Sequence, residues 1–226
     1  MSRSVLFDTE TTGLDPLTGD RVIEVAALEL LRDLPTGRHF HALVDPCRDI
    51  PEEASRVHGL TRADLVGKPR FADIADAMLE FFGDAPLIAH NAAFDFGFVN
   101  AELARIGRPS LADGRMVCTL TMAKRHYPGL PNSLDALCRR FGIDLSERTT
   151  HNALLDCRLL ADVYIELTGG RQRGLSLAAE ANDAALPTVS YAGVAKRQPR
   201  PVAPTPAELA AHAAFVAQFK EPVWAG

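Results

Sequence analysis

Residues 4–16, SVLFDTETTGLDP, decide the predicted fold, because they lead a buried strand directly into two carboxylates and a turn. The strand Ser4–Phe7 has apolar side chains on both faces, which is typical of a strand in the middle of a sheet. Side chains two residues apart share one face of a strand, so Leu6, Asp8 and Glu10 should point the same way.

Asp8 and Glu10 are therefore expected next to the core, where carboxylates are costly unless they are paired or bound to a cation. Two hard oxygen donors favour magnesium or manganese over zinc. The alternative is that this Asp-x-Glu pair caps a helix or ends a strand in solvent, since such short motifs recur by chance.

Asp95 repeats the placement of an acid on an apolar face. We expect a second buried strand at Ala85–His90 and a helix at Ala92–Ile106. Asp95 precedes Phe98 and Val99 by three and four residues, so it should share their face of the helix. The alternative is that Asp95 only complements the helix dipole in the first turn.

Asp156 does the same in a predicted helix at Asn152–Thr168, which Gly169 and Gly170 end. Its apolar face continues at Leu160, four residues later. His151 comes just before this helix and is a candidate general base, because its pKa is normally near neutrality. The alternative for His151 is an ordinary surface histidine.

Four sequence blocks together resemble the DEDD-type 3′–5′ exonucleases in the branch with a histidine base, and within it the proofreading (epsilon) subunits of bacterial DNA polymerase III. The blocks cover about the first three quarters of the chain and agree in order and spacing. They are FDTETTGLDP (7–16), VHGLT (57–61), HNAAFDFGFVNAEL (90–103) and HNALLDCRLLADVYIELTGG (151–170).

The resemblance implies an α/β, ribonuclease H-like fold with a mixed five-stranded sheet flanked by helices. The residue pattern agrees with it. Arg21–Leu31 and Arg38–Val44 can follow the first strand as antiparallel strands, with a tight turn at Pro35–Gly37. An amphipathic helix is expected from Phe71 to Phe82.

The resemblance also implies hydrolysis of phosphodiester bonds by two Mg²⁺ ions, with Mn²⁺ as a substitute. Asp8, Glu10 and Asp156 would hold one ion with the attacking water, Asp8 and Asp95 would hold the second, and His151 would accept the proton. Because four carboxylates would crowd together, Asp8→Ala or Asp156→Ala should abolish activity and leave the fold intact or more stable.

Substrate contacts follow from the same resemblance. Backbone and side chains near the first carboxylates would hold the terminal nucleotide, and a second group would line the cleft. The alternatives are turn formation at Gly13, helix capping by Asn91, and core packing by Leu14 and Phe94. The candidates are Thr9, Thr11, Gly13, Leu14, His58, His90, Asn91 and Phe94.

The chain has 226 residues and a net charge of −5. Residues 1–170 contain 18 basic and 25 acidic residues, whereas residues 171–226 contain 6 and 4. The larger part thus has no broad basic patch for duplex DNA, so we expect it to hold a few terminal nucleotides while a partner brings the DNA.

The four cysteines form no Cys-x-x-Cys pair, which favours reduced thiols. No signal peptide precedes the first strand, and no apolar run is long enough to cross a membrane. We therefore expect a cytoplasmic protein.

The composition changes after residue 170 and predicts three parts: an exonuclease domain at 1–170, a linker at 171–205 and a docking tail at 206–226. Residues 196–206, KRQPRPVAPTP, are typical of a linker. Thr205, Pro206 and Glu208 then form a helix start.

The tail presents apolar residues for a partner, which the resemblance identifies as the polymerase alpha subunit; the alternative is that it packs on its own core. These residues are Leu209, Val216, Phe219 and Trp224. Residues 172–177, QRGLSL, resemble a sliding-clamp-binding motif through Gln172, Leu175 and Leu177.

The leading functional hypothesis is a DNA-proofreading 3′–5′ exonuclease that removes mispaired nucleotides within a replicase. One alternative is a free-standing exonuclease that trims RNA or single-stranded DNA with the same residues. Another is a non-catalytic scaffold between polymerase and clamp, which would have no need for four acids on core-facing positions.

Overall fold

The computed structural model describes residues 3–148, 150–170 and 203–219. A five-stranded mixed sheet, in the order β3-β2-β1-β4-β5, forms its centre. β1 pairs antiparallel with β2 and parallel with β4, so it lies in the middle of the sheet as predicted. The strands are β1 (Arg3–Thr11), β2 (Val22–Leu31), β3 (Leu34–Leu43), β4 (Leu87–Ala89) and β5 (Met116–Cys118).

Helices lie on both faces of this sheet, which confirms the predicted fold class. Helices α3, α4 and α7 follow the predicted bounds to within one residue. The helices of this part are α1 (Glu52–His58), α2 (Arg62–Leu65), α3 (Phe71–Phe82), α4 (Ala92–Arg105), α5 (Thr119–His126), α6 (Leu134–Phe141) and α7 (Ala153–Leu167).

The alternation of β1 divides the core into two layers. Phe7 packs in one apolar cluster with Phe71 of α3 and Phe98 of α4. Leu6 packs in the other cluster, with Leu137 of α6 and Leu160 of α7. Side chains of β1 therefore point alternately toward α3 and α4 on one face and toward α6 and α7 on the other. The polar residues that follow Phe7 keep this alternation.

Three strands differ from their expected bounds, and one of them, β3, begins at Leu34 instead of Arg38. β1 continues through Asp8 and Glu10 to Thr11, because β2 pairs with it along its whole length. The strand predicted at Ala85–His90 is only three residues long, Leu87–Ala89. Both acids of β1 thus lie within a paired strand, and their direction is set by the sheet.

The turn predicted at Pro35–Gly37 was wrong. The β2–β3 turn is made by Arg32 and Asp33, with φ of 53° and 64°, the left-handed backbone that a two-residue hairpin needs. Pro35 pairs with Leu30, and Gly37 lies in an irregular stretch of β3 with φ of 88°. The glycine therefore serves a bulge, and the turn uses residues without the usual Asn-Gly or Asp-Gly signal.

Residues 203–219 belong to a second compact unit, Ser176–Gly226. Helix α8 (Pro206–Val216) begins with the predicted capping box: Thr205 N donates to Glu208 Oε2 at 2.7 Å, and Glu208 N donates to Thr205 Oγ1 at 3.3 Å. Gln172, Leu175, Leu177 and Trp224 lie outside the described residues. Within the described residues, no helix has the length and apolarity needed to span a membrane.

Candidate active site

A cleft of about 340 Å³ opens at the carboxyl ends of the neighbouring parallel strands β1 and β4. This edge is where α/β sheets usually bind their ligands. The cleft is lined by all five of the predicted catalytic residues, which are Asp8, Glu10, Asp95, His151 and Asp156. The structure thus brings the five candidates together in one cleft, and their chemical roles stay predictions.

β1 directs its two acids by simple alternation. Leu6 faces the layer that contains α7, and Asp8 and Glu10 continue that face toward the cleft. Glu10 is 8% exposed, and it pairs across the sheet with Glu24 of β2. Thr9, between the two acids, points to the α4 side. β1 therefore contributes side chains to both walls of the cleft.

Asp95, in the first turn of α4, is only 2% exposed. Its Oδ1 accepts hydrogen bonds from Thr9 N at 3.0 Å and from Thr9 Oγ1 at 2.8 Å. These bonds hold the carboxylate against β1, so complementing the helix dipole is not its only role. They leave Oδ2 as the oxygen available to a ligand.

Helix α7 carries Asp156, and two acceptors fix where the helix begins. The side chain of Asn152 caps it by accepting from Leu155 N at 3.0 Å. Glu24, 1% exposed, accepts from Asn152 Nδ2 at 3.1 Å and is 2.7 Å from His41 Nε2. Glu24 was not among the sequence candidates. A glutamate inside an apolar strand interrupts the hydrophobic pattern, so it could have been noticed from the sequence.

His151 lies in the loop before α7, and its side chain is 47% exposed. Its backbone N donates to Val57 O of α1 at 3.0 Å, which anchors the loop. Its Nδ1 is 3.4 Å from Asp156 Oδ2. The imidazole therefore lies beside the carboxylates with one side open to solvent.

Arg148 is a cleft residue that the sequence analysis missed. Its Nε lies 2.6 Å from Asp156 Oδ1 and its Nη2 lies 2.7 Å from Asp156 Oδ2, a two-pronged ion pair. Its Nη1 lies 2.7 Å from Asp135 Oδ1, and its Nη2 lies 3.0 Å from His151 Nδ1. The only sequence signal was a basic residue three positions before the candidate base, in a loop without periodicity.

Burial and mutual repulsion change the acidity of three carboxylates. The pKa of Asp8 is raised well above its ordinary value by burial, then by the charges of Asp95 and Glu10. Burial, followed by the charge of Asp156, raises the pKa of Glu10 to about 8. Burial raises the pKa of Asp95 to about 7, although the hydrogen bonds from Thr9 oppose this. These acids thus hold protons near neutral pH unless a cation is bound.

Asp156 is the exception among the acids. Burial acts to raise its pKa, but hydrogen bonds from Arg148 and His151 outweigh burial, and the pKa lies below its ordinary value. Removing this carboxylate would leave the guanidinium of Arg148 buried without its main partner. The expectation that Asp156→Ala leaves the protein intact or more stable is therefore withdrawn, whereas the expectation for Asp8 stands.

The donor set suits a divalent cation. One ligand atom each from Glu10, His151 and Asp156 lies within 4.8 Å of the others, close enough for one ion. Asp8 and the free oxygen of Asp95 line the same cleft. Three of the four carboxylates have raised pKa values, and a bound cation would favour their ionised forms. Carboxylate oxygens are the ligands that magnesium and manganese prefer.

A second pocket of about 600 Å³ adjoins the carboxylates on the α1 side. Apolar surface comes from Leu14, which is 85% exposed, and from Phe94, whose ring is tilted by 46° against Phe98 with 4.8 Å between centroids. Leu14 is not packed in the core, whereas Phe94 is half-buried and packs against the core cluster, as the packing alternative expected. The pocket also contains the predicted contacts Thr9, Thr11, Gly13 and His58.

His58 is one of the residues that line this pocket. Its ring is 5% exposed, and its Nδ1 accepts from Leu60 N at 3.0 Å. Because Nδ1 is an acceptor, the neutral ring carries its proton on Nε2. Nε2 is buried and has no hydrogen-bond partner in the part of the chain that the structure describes. The ring therefore has a buried N–H donor for which the described residues supply no acceptor.

Gly13 is required for a different reason from the expected one. A Cβ at this position would lie 2.6 Å from Asp20 Oδ1. Asp20 closes the loop by accepting from Thr12 Oγ1 and from Asp15 N, both at 3.2 Å. The glycine thus makes room for the carboxylate that shapes the loop, and the loop carries Leu14 to the pocket.

His90 and Asn91 follow β4 and line the cleft. His90 Nδ1 lies 3.0 Å from Thr119 Oγ1, and burial lowers the pKa of His90. Asn91 begins α4 with φ of 64° and makes no side-chain cap. The capping alternative for Asn91 was therefore wrong, and its exposed amide faces the cleft.

Comparison with known proteins identifies relatives over nearly the whole chain. A family model described as Exonuclease matches residues 5–164. DNA polymerase III subunit epsilon of Rickettsia typhi is 43% identical over 218 residues, which cover 95% of each chain. The Escherichia coli K12 protein of the same name is 40% identical over 179 residues, 76% of this chain and 73% of that one.

Two solved structures share the fold. Exonuclease X in complex with 5′ overhanging duplex DNA is 28% identical, with a TM-score of 0.57 over 74% of this chain and 91% of that one. The zinc-bound E. coli ExoI–ssDNA complex has a TM-score of 0.65 over 76% of this chain and 41% of that one. At 19% identity, the second likeness supports the fold alone.

Proposed function

This chain belongs to the DNA polymerase III epsilon family of exonucleases and is a 3′–5′ proofreading exonuclease, and we propose that its cleft removes mispaired nucleotides by hydrolysing the terminal phosphodiester bond. The observation that supports this most directly is the meeting of Asp8, Glu10, Asp95, Asp156 and His151 in one cleft. These residues come from β1, α4, α7 and the loop before α7.

We assign the four carboxylates to two magnesium ions, with manganese as a substitute. Asp8, Glu10 and Asp156 would hold one ion, and Asp8 with Asp95 Oδ2 would hold the other. When bound, these ions stabilise charge on the entering and leaving oxygens of the phosphodiester and favour ionisation of the attacking water. Without them, the raised pKa values of Glu10 and Asp95 keep part of the site protonated near neutral pH, so protons compete with the cations.

His151 is assigned to accept the proton from the attacking water. Its ring borders the carboxylates, and nearly half of its surface is exposed, so the proton can pass on to solvent. The hydrogen bond from its backbone to Val57 keeps the loop in place while the ring stays open on one side. Oxygen donors satisfy the hard cations, so His151 is not needed as a ligand.

The terminal nucleotide is assigned to the second pocket. Leu14 and Phe94 offer apolar surface to a base, and His58 Nε2–H offers a hydrogen bond to one of its acceptors. This hydrogen bond can form with any base that presents an acceptor. Proofreading requires a pocket that accepts different bases. A mispaired end enters most easily because unpairing it costs least.

Partners are proposed for the acidic exonuclease unit, which has no basic patch to hold duplex DNA. We assign α8 and the segment after it to the polymerase alpha subunit. In α8 and just beyond it, Leu209 and Phe215 are 55% exposed and Phe219 is 48% exposed. We assign Gln172–Leu177 to the sliding clamp, a contact useful mainly through tethering. These assignments, the three-part domain division and the cytoplasmic location stay predictions.

The test is a magnesium-dependent time course on 5′-labelled strands: DNA with a paired end, DNA with a mispaired end, and RNA. We expect stepwise shortening from the 3′ end, fastest on mispaired DNA, and its loss in His151→Ala. His39→Ala, which removes an exposed histidine on β3, is the matched control. Faster cleavage of RNA would favour the free-standing trimming enzyme. Absence of cleavage in wild-type protein would favour the scaffold.

A further inference from the structure

The guanidinium of Arg148 occupies both oxygens of Asp156. The two hydrogen bonds are 2.6 and 2.7 Å long, and the side chains are 9% and 5% exposed. Two parallel bonds between a guanidinium and a carboxylate form one of the strongest side-chain pairs in proteins. Asp156 is therefore already neutralised by the chain itself.

A cation bound by Asp156 needs at least one of the same oxygens. Glu10 and Asp156 each offer an oxygen close enough for one ion, and Arg148 contacts both oxygens of Asp156. A guanidinium cannot lose its charge to relieve the repulsion from a divalent cation, because its pKa lies far above neutrality. The two cations therefore compete for one carboxylate.

Asp135 gives the guanidinium a second anchor. Its Oδ1 is 2.7 Å from Arg148 Nη1, and it lies in the first turn of α6 at the rim of the same cleft. Asp135 is 36% exposed, so a guanidinium that turns away from Asp156 can remain paired while one edge faces the cleft. The guanidinium thus keeps one carboxylate partner if its bonds to Asp156 are lost.

We propose that Arg148 is a positioning residue that acts as the built-in counter-cation of the metal-free site. It holds Asp156 in place, and a divalent cation displaces it onto Asp135. This inference rests on the proposed use of divalent cations by Asp156. The inference predicts that removing Arg148, a residue of the cleft, strengthens cation binding. A residue that only supported the local fold would weaken binding when removed.

The experiment is a Mn²⁺ titration of the full chain, followed by calorimetry or by the resonance signal of free Mn²⁺. In Arg148→Met, which keeps the apolar stem, we expect Mn²⁺ affinity to rise about tenfold, equivalent to about 1.4 kcal/mol. Melting temperature in chelator should fall, and the increase on adding Mn²⁺ should be larger than in wild type. Arg158→Met removes an exposed charge from α7 and should keep wild-type affinity.

Unchanged or weaker Mn²⁺ binding in folded Arg148→Met would overturn the inference. If that variant does not fold, Arg148→Lys decides: it keeps a charge but loses the paired geometry, so affinity should rise about threefold, a fraction of the tenfold effect. Wild-type affinity in the lysine variant would also overturn it. Failure of wild-type protein to bind Mn²⁺ or to cleave DNA would instead reject the proposed function.

Discussion

Glu24 of β2 accepts a hydrogen bond from the backbone N of Ala153, 3.3 Å from its Oε2, at the first residue of α7. The positive end of the α7 dipole thus meets a buried carboxylate that lies across the sheet from Glu10. The helix that brings Asp156 to the cleft is positioned by an acid that does not line the cleft.

Glu24→Gln should therefore reduce activity without touching the substrate. The amide keeps the shape but weakens the bonds to Ala153, Asn152 and His41, so the free energy of unfolding should fall by about 1–3 kcal/mol. We expect kcat to fall while KM for a short oligonucleotide stays constant. Urea unfolding and steady-state kinetics measure the two effects.

Glu29→Gln is the matched control, since Glu29 is also a buried acid of β2 but pairs with Arg3 and Arg38, away from α7. It should lose stability and keep kcat. If both variants lost kcat equally, the role of Glu24 would be general stability of the strand.

Asp8→Asn and Asp156→Asn should both abolish cleavage but shift stability in opposite directions. Asp8 is a buried acid with a raised pKa, so its amide should raise the melting temperature of metal-free protein. Asp156→Asn breaks the buried pair with Arg148 and should lower the free energy of unfolding by about 3 kcal/mol. Thermal unfolding in chelator checks this; a stabilised Asp156→Asn protein would contradict the ion pair.

The stability of metal-free protein should fall as pH rises from about 5 to about 8. Glu10 and Asp95, with ordinary pKa values of 4.5 and 3.8, titrate at about 8 and about 7 in the folded protein. In this window the unfolded chain has released protons that the folded protein keeps, so the free energy of unfolding decreases with pH. The lowered pKa of Asp156 acts only in more acidic solution, where its contribution is lost.

Melting temperatures across this pH range, with chelator or with saturating Mn²⁺, measure the trend. Bound cations compete with the protons, so Mn²⁺ should flatten the profile. Glu10→Gln should reduce the slope in chelator. A flat profile for wild-type protein in chelator would show that the acids ionise at their ordinary pKa values.

His58→Phe should weaken binding of the terminal nucleotide by about 1 kcal/mol, the contribution of one hydrogen bond, which is about fivefold in KM. Phenylalanine fills the space but has no N–H to donate. Leu14→Ala should also raise KM, because its side chain is mostly exposed and little stability depends on it. Steady-state kinetics on oligonucleotides of one sequence but different 3′ bases test both; unchanged KM would place the base elsewhere.

Deletion of residues 205–226 should leave cleavage of short oligonucleotides unchanged, because these residues lie outside the unit that contains the cleft. Co-purification with a polymerase subunit should be lost, since the deletion removes the exposed Leu209, Phe215 and Phe219. Replacing these three residues by serine is the sharper variant. Retained co-purification in both would move the docking surface to another part of the chain.

The acids of the site were predictable because each interrupts an apolar pattern. Asp95 and Asp156 each lie at the start of an apolar helix face, and Glu10 continues the face of Leu6. A charge in such a position is visible without a structure, since it contradicts the periodicity around it.

Arg148 and the β2–β3 turn were not predictable on the same basis. Arg148 lies in a loop, where no period exists to be broken, and only its contacts with Asp156 and Asp135 reveal its role. The turn uses Arg32 and Asp33 in left-handed backbone, while the nearby Gly37 serves a bulge. Local residue preferences cannot distinguish the two when pairing along the strand decides.

The alternation of β1 also limits how the enzyme can be engineered. Phe7 and Thr9 face α4, whereas Leu6, Asp8 and Glu10 face the opposite layer. Inserting or deleting one residue before Phe7 would exchange these sets, sending carboxylates into one core and a phenyl ring into the cleft. Substitutions in β1 preserve the register of the strand, whereas libraries with length changes in this strand should yield no folded, active members.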